Sequence, residues 1–185
     1  MPRPLSPAIA IAATAAALLV LAGCSPSLNW RSVPLDGAPV IATFPCKPDH
    51  AVRSVDWGQG PVSLAIAGCE ADGATFALSH MPVAQPAQAS EVLQRWQQAL
   101  QKQLHLPAGA PAGTPFAAPG VMGLPQSVRV QWQGRDEGGR PVWVDALWFA
   151  RLEGAQARLY HAVVLSPREI GQAARDTFMQ GMAMQ

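Results

Sequence analysis

Charge is scarce in this sequence. Only 14% of its 185 residues are charged, and the formal net charge at pH 7 is +1. About a quarter of the residues are charged in an average soluble domain. Binding to nucleic acid needs a basic patch that neutralises phosphates, and no two basic residues are adjacent here. The composition therefore predicts no nucleic-acid partner, and it offers no polybasic segment for lipid head groups.

The short motifs of several common enzyme classes are also missing. The chain has no Gly-x-Ser-x-Gly nucleophile elbow and no glycine-rich loop that ends in Lys-Ser or Lys-Thr. Asp136 and Glu137 could pass for an acid/base pair, but the two glycines that follow are typical of an exposed hairpin tip. We therefore predict no catalytic residue and a protein that is not an enzyme.

Histidine is equally scarce, with four residues in the chain. Asp49 and His50 could form half of a metal site, but a solvated turn after Pro48 is the simpler interpretation. His80 and His161 fall in predicted strands and could meet across a sheet. Isolated strand histidines are more often core residues than ligands. We predict no metal ligands and no cofactor.

The amino-terminal apolar run, residues 8–22, is shorter than the roughly 20 residues of a transmembrane helix. Arg3 precedes it, as in a secretory signal peptide. The run ends in Leu21-Ala22-Gly23-Cys24, which resembles the lipobox of bacterial lipoproteins. That resemblance implies cleavage of residues 1–23, a diacylglycerol on Cys24, and a further acyl chain such as palmitate on the new amino terminus. An ordinary secretory signal with an incidental cysteine is the alternative.

The predicted lipid on Cys24 also predicts a location. Two or more acyl chains hold a protein stably on a membrane, whereas one does so only marginally. Ser25 follows the cysteine, and by resemblance to the enteric sorting rule it favours the outer membrane. We expect a lipid-anchored protein of the cell envelope that faces the periplasm of a Gram-negative bacterium.

Cys46 and Cys69 remain once Cys24 is assigned to lipid. Export places them in an oxidising compartment, where disulfides form and persist. A Cys46–Cys69 disulfide would stabilise the fold by about 3 kcal/mol in the chain-entropy model. Two free buried thiols are the alternative.

Hydrophobic periodicity divides the rest of the chain into a tether, residues 24–39, and one α+β domain, residues 40–185. Alternation predicts strands, and a spacing of three and four residues predicts an amphipathic helix. Ser166, Pro167 and Glu169 have the pattern of a helix start, with a capping box. The predicted strands are 40–44, 51–57, 62–67, 75–81, 128–133, 141–151 and 157–165, and the helices are 90–104 and the stretch after 166.

The strand at 141–151 is apolar at both even and odd positions, which predicts cover on both faces of its sheet. We therefore predict an antiparallel β-sheet sandwiched between helices, an α/β/α arrangement. Residues 105–126 are rich in proline, glycine and alanine. We expect this segment to be mobile and to lie at or beside any partner surface, with Phe116, Val121, Met122 and Leu124 only partly buried. A plain linker is the alternative.

Several short motifs resemble the PsbP-like fold. They are Phe44-Pro45 at a strand end, Lys47-Pro48 after it, the meander, the mid-chain helix and a closing helix with Phe178. That α/β/α fold occurs in photosystem accessory proteins, Ran-binding relatives and many bacterial envelope lipoproteins. The resemblance implies the same layers here, and no metal-ligand set of the family can be placed on this sequence.

Two hypotheses for the function follow. The first is a lipid-anchored, non-catalytic accessory or interaction module with a protein partner in the envelope. The alternative is a lipoprotein that binds a small apolar or lipid ligand in a cleft between sheet and helix, lined by Trp143 or Trp148.

Overall fold

The computed structural model describes residues 27–57, 60–107 and 109–185. Cys24 and the predicted signal peptide, residues 1–23, lie outside them. No helix in this described part is long and apolar enough to cross a membrane. The elements in chain order are β1 (Arg31–Pro34), β2 (Val40–Phe44), β3 (Asp49–Asp56), β4 (Pro61–Ala71), β5 (Ala74–Val83), α1 (Ala89–Gln103), β6 (Thr114–Pro115), β7 (Val128–Arg135), β8 (Pro141–Glu153), β9 (Gln156–Ser166), α2 (Gln172–Gln180) and β10 (Met182–Met184).

The main sheet has seven antiparallel strands in the order β3-β4-β5-β9-β8-β7-β6. Its long central pair, β8 and β9, runs in register from Trp143 opposite Ser166 to Glu153 opposite Gln156. Successive side chains of a strand point to opposite faces of a sheet. The central strands therefore feed two separate apolar clusters, one on each face.

The first face is the side of the main sheet that α1 covers. Alternate β8 residues, from Val144 to Ala150, point to this side and are buried in one apolar cluster with α1. The predicted amphipathic helix is confirmed, because Val92, Leu93 and Trp96 are buried against the sheet. This face is the larger of the two apolar cores.

The second face is the side covered by a three-stranded sheet, in the order β1-β2-β10, and by α2. Phe178 of α2 joins the two layers, since its ring lies 5.5 Å from that of Phe44 and 5.4 Å from that of Phe76. Both rings are buried, together with Leu147 and Phe149 of β8. The prediction that both sides of β8 are covered is therefore confirmed.

The predicted α/β/α architecture, with a sheet between helical layers, is wrong. The structure is 49% strand and 17% helix, so it is a β-rich fold with two antiparallel sheets. The layers implied by the PsbP-like resemblance are wrong in the same respect. On the second face the cover is mainly the three-stranded sheet, and α2 is only nine residues long.

Local chemistry explains both ends of α2. Ser166 is the buried last residue of β9, and its hydroxyl accepts a hydrogen bond from the Arg168 amide, so it does not cap a helix. The helix begins at Gln172, after Gly171. At the other end a Cβ on Gly181 would lie 2.6 Å from that of Thr43, so glycine lets the chain approach β2 and continue as β10.

The amino-terminal part of the domain is tied to the second face at two places. Residues 31–34, inside the predicted tether, form β1 and pair with β2, and Leu35 is buried. Cys46 and Cys69 form the predicted disulfide, with their Cα atoms 6.0 Å apart. The bond connects the chain just after β2 to β4 of the main sheet and so links the two layers covalently.

Candidate ligand-binding cleft

The histidines do not assemble into a site. His80 and His161 point to opposite faces of the main sheet. In the β5–β9 pair, Ser79 lies opposite His161, and His80 lies opposite Tyr160. His50 lies at the surface with its Nδ1 atom 3.6 Å from an Asp36 carboxylate oxygen. No three His, Cys, Asp or Glu side chains of the described residues are grouped closely enough to hold a metal ion.

The acid/base candidates Asp136 and Glu137 lie at the β7–β8 hairpin, as predicted. Asp136 accepts hydrogen bonds from the backbone amide and the side chain of Arg140, at 2.9 and 2.7 Å. These bonds lower the pKa of Asp136 and close the turn. The carboxylate therefore stabilises the hairpin.

The two tryptophans proposed as pocket residues have different surroundings. Trp148 is fully buried on the first face, where its ring stacks on His161 with centroids 4.6 Å apart. Trp143 is half-buried on the second face, where it lines a cleft of about 420 Å³. Trp143 therefore lines a cavity, as the hypothesis of a sheet–helix pocket requires. Trp148 does not, because it lies in a closed core.

This cleft lies at the β7 side of the second face, beyond the apolar cluster. Its floor is formed by β7 and β8. One wall is formed by residues 106–107 and 110–111, and the other by residues 169–170 and by Arg175 of α2. Apolar side chains contribute most of the lining. They include Leu106, Ala110, Trp143, Val164 and Ile170.

The sequence of β7 explains the polar part of the floor. Val128, Val130 and Trp132 point to the first face, so Gln131 and Gln133 point to the second. The strand predicted at 128–133 thus supplies part of the floor of the cleft. Gln131 and Gln133 are both exposed, so no described element of the second layer covers this part of the floor.

The first of these walls is fixed to β7 at Pro111. The Trp132 indole donates a hydrogen bond to the Pro111 carbonyl oxygen at 3.1 Å. Two residues later, a Cβ on Gly113 would lie 2.5 Å from the Arg129 carbonyl oxygen. Glycine is therefore needed for the segment to lie this close to the strand.

The rest of the proline- and glycine-rich segment is also anchored by its backbone. The Phe116 amide donates to the Ser127 carbonyl oxygen and the Met122 amide to that of Ala150, each at 2.8 Å. The four apolar side chains of the segment are half-buried, as predicted. Its mobility stays a prediction.

A buried carboxylate lies at the deep end of the cleft. Asp145 is 2% exposed and accepts two hydrogen bonds from Arg129, through Nε and Nη2, both at 2.8 Å. Gln131 Nε2 donates a third at 3.2 Å. A buried charge is tolerated only when it is paired in this way.

Arg129 also reaches the second acidic group, Asp176 of α2, at 2.8 Å. The hydrogen bond between Arg129 and Asp145 is the largest cause of the raised pKa of Arg129. The hydrogen bond between Arg129 and Asp176 lowers the pKa of the Asp176 carboxyl. Both shifts favour the ionised forms of Arg129 and Asp176.

Arg175 is the member of this network with spare donors. Its Nη1 atom is 3.7 Å from the nearer Asp145 oxygen, which is too long for a hydrogen bond. Its Nε atom is buried without a hydrogen-bond partner among the described residues. The side chain is 15% exposed and lines the cleft. Most guanidinium groups as buried as this have their donors satisfied.

A polar groove continues the cleft along α2. It has a volume of about 530 Å³ and shares Pro111 and Gln131 with the cleft. Its other polar lining residues are Thr114, Arg129, Gln172, Asp176 and Gln180. The cleft and the groove together form an amphipathic trough, apolar at one end and polar at the other.

The sequence contained a signal for this site that periodicity does not detect. Asp145 is the one charged residue between Arg140 and Arg151, in a strand that is otherwise apolar on both sides. A lone acid in such a strand must be buried with a partner. The partners, Arg129 and Arg175, come from β7 and α2, and their positions depend on the tertiary fold.

Comparison with known proteins adds no relative. No protein-family model matches the chain, and no curated protein has a matching sequence.

Proposed function

We propose that this protein is a lipid-anchored lipoprotein of the bacterial envelope whose domain binds a small amphipathic ligand in the cleft. The observation that carries the proposal is the cavity itself, about 420 Å³ and lined mainly by apolar side chains with Arg175 at its polar end. Small-molecule sites in proteins are concave, mostly apolar and roughly 300–1,000 Å³ in volume. The cleft fits that description.

The lining indicates how a ligand binds. An apolar body packs between Trp143 on the floor and Leu106 and Ile170 on the walls, and the removal of apolar surface from water drives binding. An oxygen of the ligand accepts a hydrogen bond from the Arg175 guanidinium, whose own partners are incomplete. A hydrogen bond to a charged donor contributes about 1.5–3 kcal/mol.

The test uses the full chain, purified from membranes in mild detergent, and the fluorescent probe N-phenyl-1-naphthylamine. We expect saturable binding of one probe per chain and at least a tenfold loss of affinity in Trp143→Ala. Trp57→Ala is the matched control, because Trp57 is also half-buried but lies outside the cleft. Binding without saturation, or equal affinities for the two variants, would contradict the proposal.

The membrane anchor has a separate test. The Leu21-Ala22-Gly23-Cys24 sequence supports lipidation of Cys24, and loss of that cysteine removes the site of the diacylglycerol. We expect Cys24→Ala to move the protein from the membrane fraction to the soluble periplasm. Ser25→Ala is the control and should stay on the membrane. Unchanged membrane attachment of the Cys24 variant would show that the anchor is something else.

A second candidate function is the interaction module, and the outer edge of β3 favours it. β3 is an end strand of the main sheet, and among the described residues it pairs only with β4. Seven of its eight residues are exposed, with Val52 at 70%. An exposed edge of this length presents free backbone donors and acceptors to another strand.

The charge pattern of β3 points to a second copy of the chain as its partner. In an antiparallel pair centred on Ala51, Asp49 of each copy lies opposite Arg53 of the other, and opposite charges across strands stabilise a sheet. We expect Ala51→Cys to form a disulfide-linked dimer under mild oxidation, whereas Ser63→Cys on β4 stays monomeric.

Charge reversal checks the same register. Asp49→Arg and Arg53→Asp should each abolish the Ala51→Cys dimer, and the two reversals together should restore it. A dimer that survives either single reversal, or no dimer at all, rejects this register and with it the second copy as partner.

A further inference from the structure

The polar groove adjoins the cleft, because Pro111 and Gln131 line both, so a ligand longer than the cleft can extend into the groove. At this shared boundary Gln131 donates a hydrogen bond to Asp145, at 3.2 Å. The groove follows α2 from Gln172 to Gln180, on its side toward the edge of the main sheet. Its chemistry therefore selects the polar part of the ligand.

The charges in the groove are already neutralised. Arg129 binds Asp145 through two hydrogen bonds and Asp176 at 2.8 Å. A ligand with a charged head would have to compete with these pairs, and a like charge beside either member is unfavourable. An anionic head meets Asp176, and a cationic head meets Arg129. The groove thus contains no described charged side chain that lacks a partner of opposite sign.

The remaining polar groups of the groove are amides and a hydroxyl. Gln172, Gln180 and Thr114 line it, and all three are exposed to solvent. Gln172 also donates one hydrogen bond to the Asp176 carboxylate. A glutamine amide has both donors and an acceptor, and a hydroxyl has both as well. Neutral groups that both donate and accept hydrogen bonds match a ligand whose own groups also donate and accept them. Alcohol hydroxyls are such groups.

The cleft does not require a charged ligand either. The charge of the Arg175 guanidinium is offset by the Asp145 carboxylate at 3.7 Å, so a neutral ester, ether or hydroxyl oxygen is a sufficient acceptor for an Arg175 side chain that lines the cleft. The exposed Glu169 carboxylate at the cleft lining disfavours an anion there.

We propose that the ligand is an amphiphile with an uncharged, hydroxyl-rich head of the glycosyl type, with its apolar chain in the cleft and its head in the groove between α2 and residues 111–116. This inference rests on the proposed function, because it places the apolar part of the ligand in the same cleft.

The experiment compares three amphiphiles with the same eight-carbon chain and different heads. Octyl glucoside, octyl sulfate and octylammonium are titrated below their micellar concentrations into the full chain, and binding is followed by calorimetry. We expect octyl glucoside to bind at least tenfold more tightly than the other two. Tighter or equal binding of octyl sulfate or octylammonium overturns the glycosyl head but leaves the proposed function in place. If none of the three binds, the proposed function fails as well.

Two variants separate the head from the chain. Gln172→Ala with Gln180→Ala should weaken octyl glucoside at least fivefold and leave the two charged amphiphiles unchanged, whereas Trp143→Ala should weaken all three. Gln98→Ala is the control, because Gln98 is exposed on α1 and lines neither space. An unchanged affinity of the double glutamine variant for octyl glucoside overturns the placement of the head in the groove.

Discussion

The two faces of the main sheet receive alternate side chains of the same strands, yet the first is closed around Trp148 and the second is open at Trp143. On the first face, α1 extends over 15 residues and buries Trp148 completely. On the second face, the three-stranded sheet and the nine-residue α2 cover only part of the same strands. The uncovered part, at β7, is the cleft.

The difference shows where a fold without catalytic motifs can hold a ligand. On β8, Leu147 and Phe149 are buried beneath the second layer, and Asp145 and Trp143 follow at the point where that layer ends. The strand changes from apolar to charged and aromatic within two positions on one face. A site of this kind arises at the boundary of a covering layer, and four predictions test that boundary, in order of decreasing effect.

The two tryptophans of β8 should differ most. Trp148→Ala removes a fully buried side chain from the first face, and such substitutions cost about 3–5 kcal/mol in the free energy of unfolding. Trp143→Ala, at the half-buried cleft position, should cost much less while weakening probe binding. Urea unfolding of both variants checks this. Similar losses of stability would mean that Trp143 belongs to the core and that the cleft is closed in solution.

Substitution of the buried carboxylate should cause the next largest loss of stability. Asp145→Asn leaves Arg129 without its main charge partner, and breaking a buried pair costs about 3–5 kcal/mol. Asp176→Asn is the matched control, because Asp176 binds the same guanidinium from a more exposed position. We expect a clearly smaller loss of stability for the control, measured by urea unfolding. Equal losses would show that the more exposed Asp176 contributes as much to stability as the buried Asp145.

The disulfide tests how the second layer is held. Replacing Cys46 and Cys69 together with alanine removes the link between the chain after β2 and β4, and we expect a loss of about 3 kcal/mol. Because the bond is on the second face, hydrogen exchange should accelerate in β1, β2 and β10 more than in α1. Equal acceleration in α1 would show that the two faces unfold together.

The strands and α1 were predictable from sequence because their patterns are local. Alternation over β2 and β4, and helical spacing from Val92 to Trp96, each reflect one buried side. The double-sided apolar pattern of β8 also predicted cover on both faces. These features need only the period of the chain and the burial of apolar groups.

The identity of the second cover was not predictable in the same way. Met182 to Met184 continue a helical pattern in sequence, but they pair with β2, and this pairing joins residues that are distant in the chain. The cleft was harder still to predict from the sequence, because its position depends on how far the second layer extends over the main sheet. Asp145 signalled a buried partner, and only the register with β7 shows that Arg129 supplies it.

The smallest predicted effect is a pH dependence that belongs to the first face. Burial lowers the pKa of His161 to about 3, because the ring lies between Trp96 and Trp148 with no charged partner among the described residues. In the unfolded chain a histidine takes up a proton near pH 6.5. Below that pH the unfolded state therefore binds more protons, and stability falls as the pH decreases toward the folded pKa. We expect a loss of about 2 kcal/mol between pH 6.5 and pH 5 from this residue alone.

The measurement is urea unfolding at pH 7, 6 and 5 for the wild type and His161→Gln, which keeps a polar side chain and removes the titration. The variant should be less stable at pH 7 but should lose less stability on acidification. His80, on the second face, also has a pKa lowered by burial and then by the charge of Arg158, so part of the wild-type slope remains. If His161→Gln and the wild type lose the same stability from pH 7 to pH 5, the first face is open enough to hydrate a charged imidazole, and its contrast with the cleft disappears.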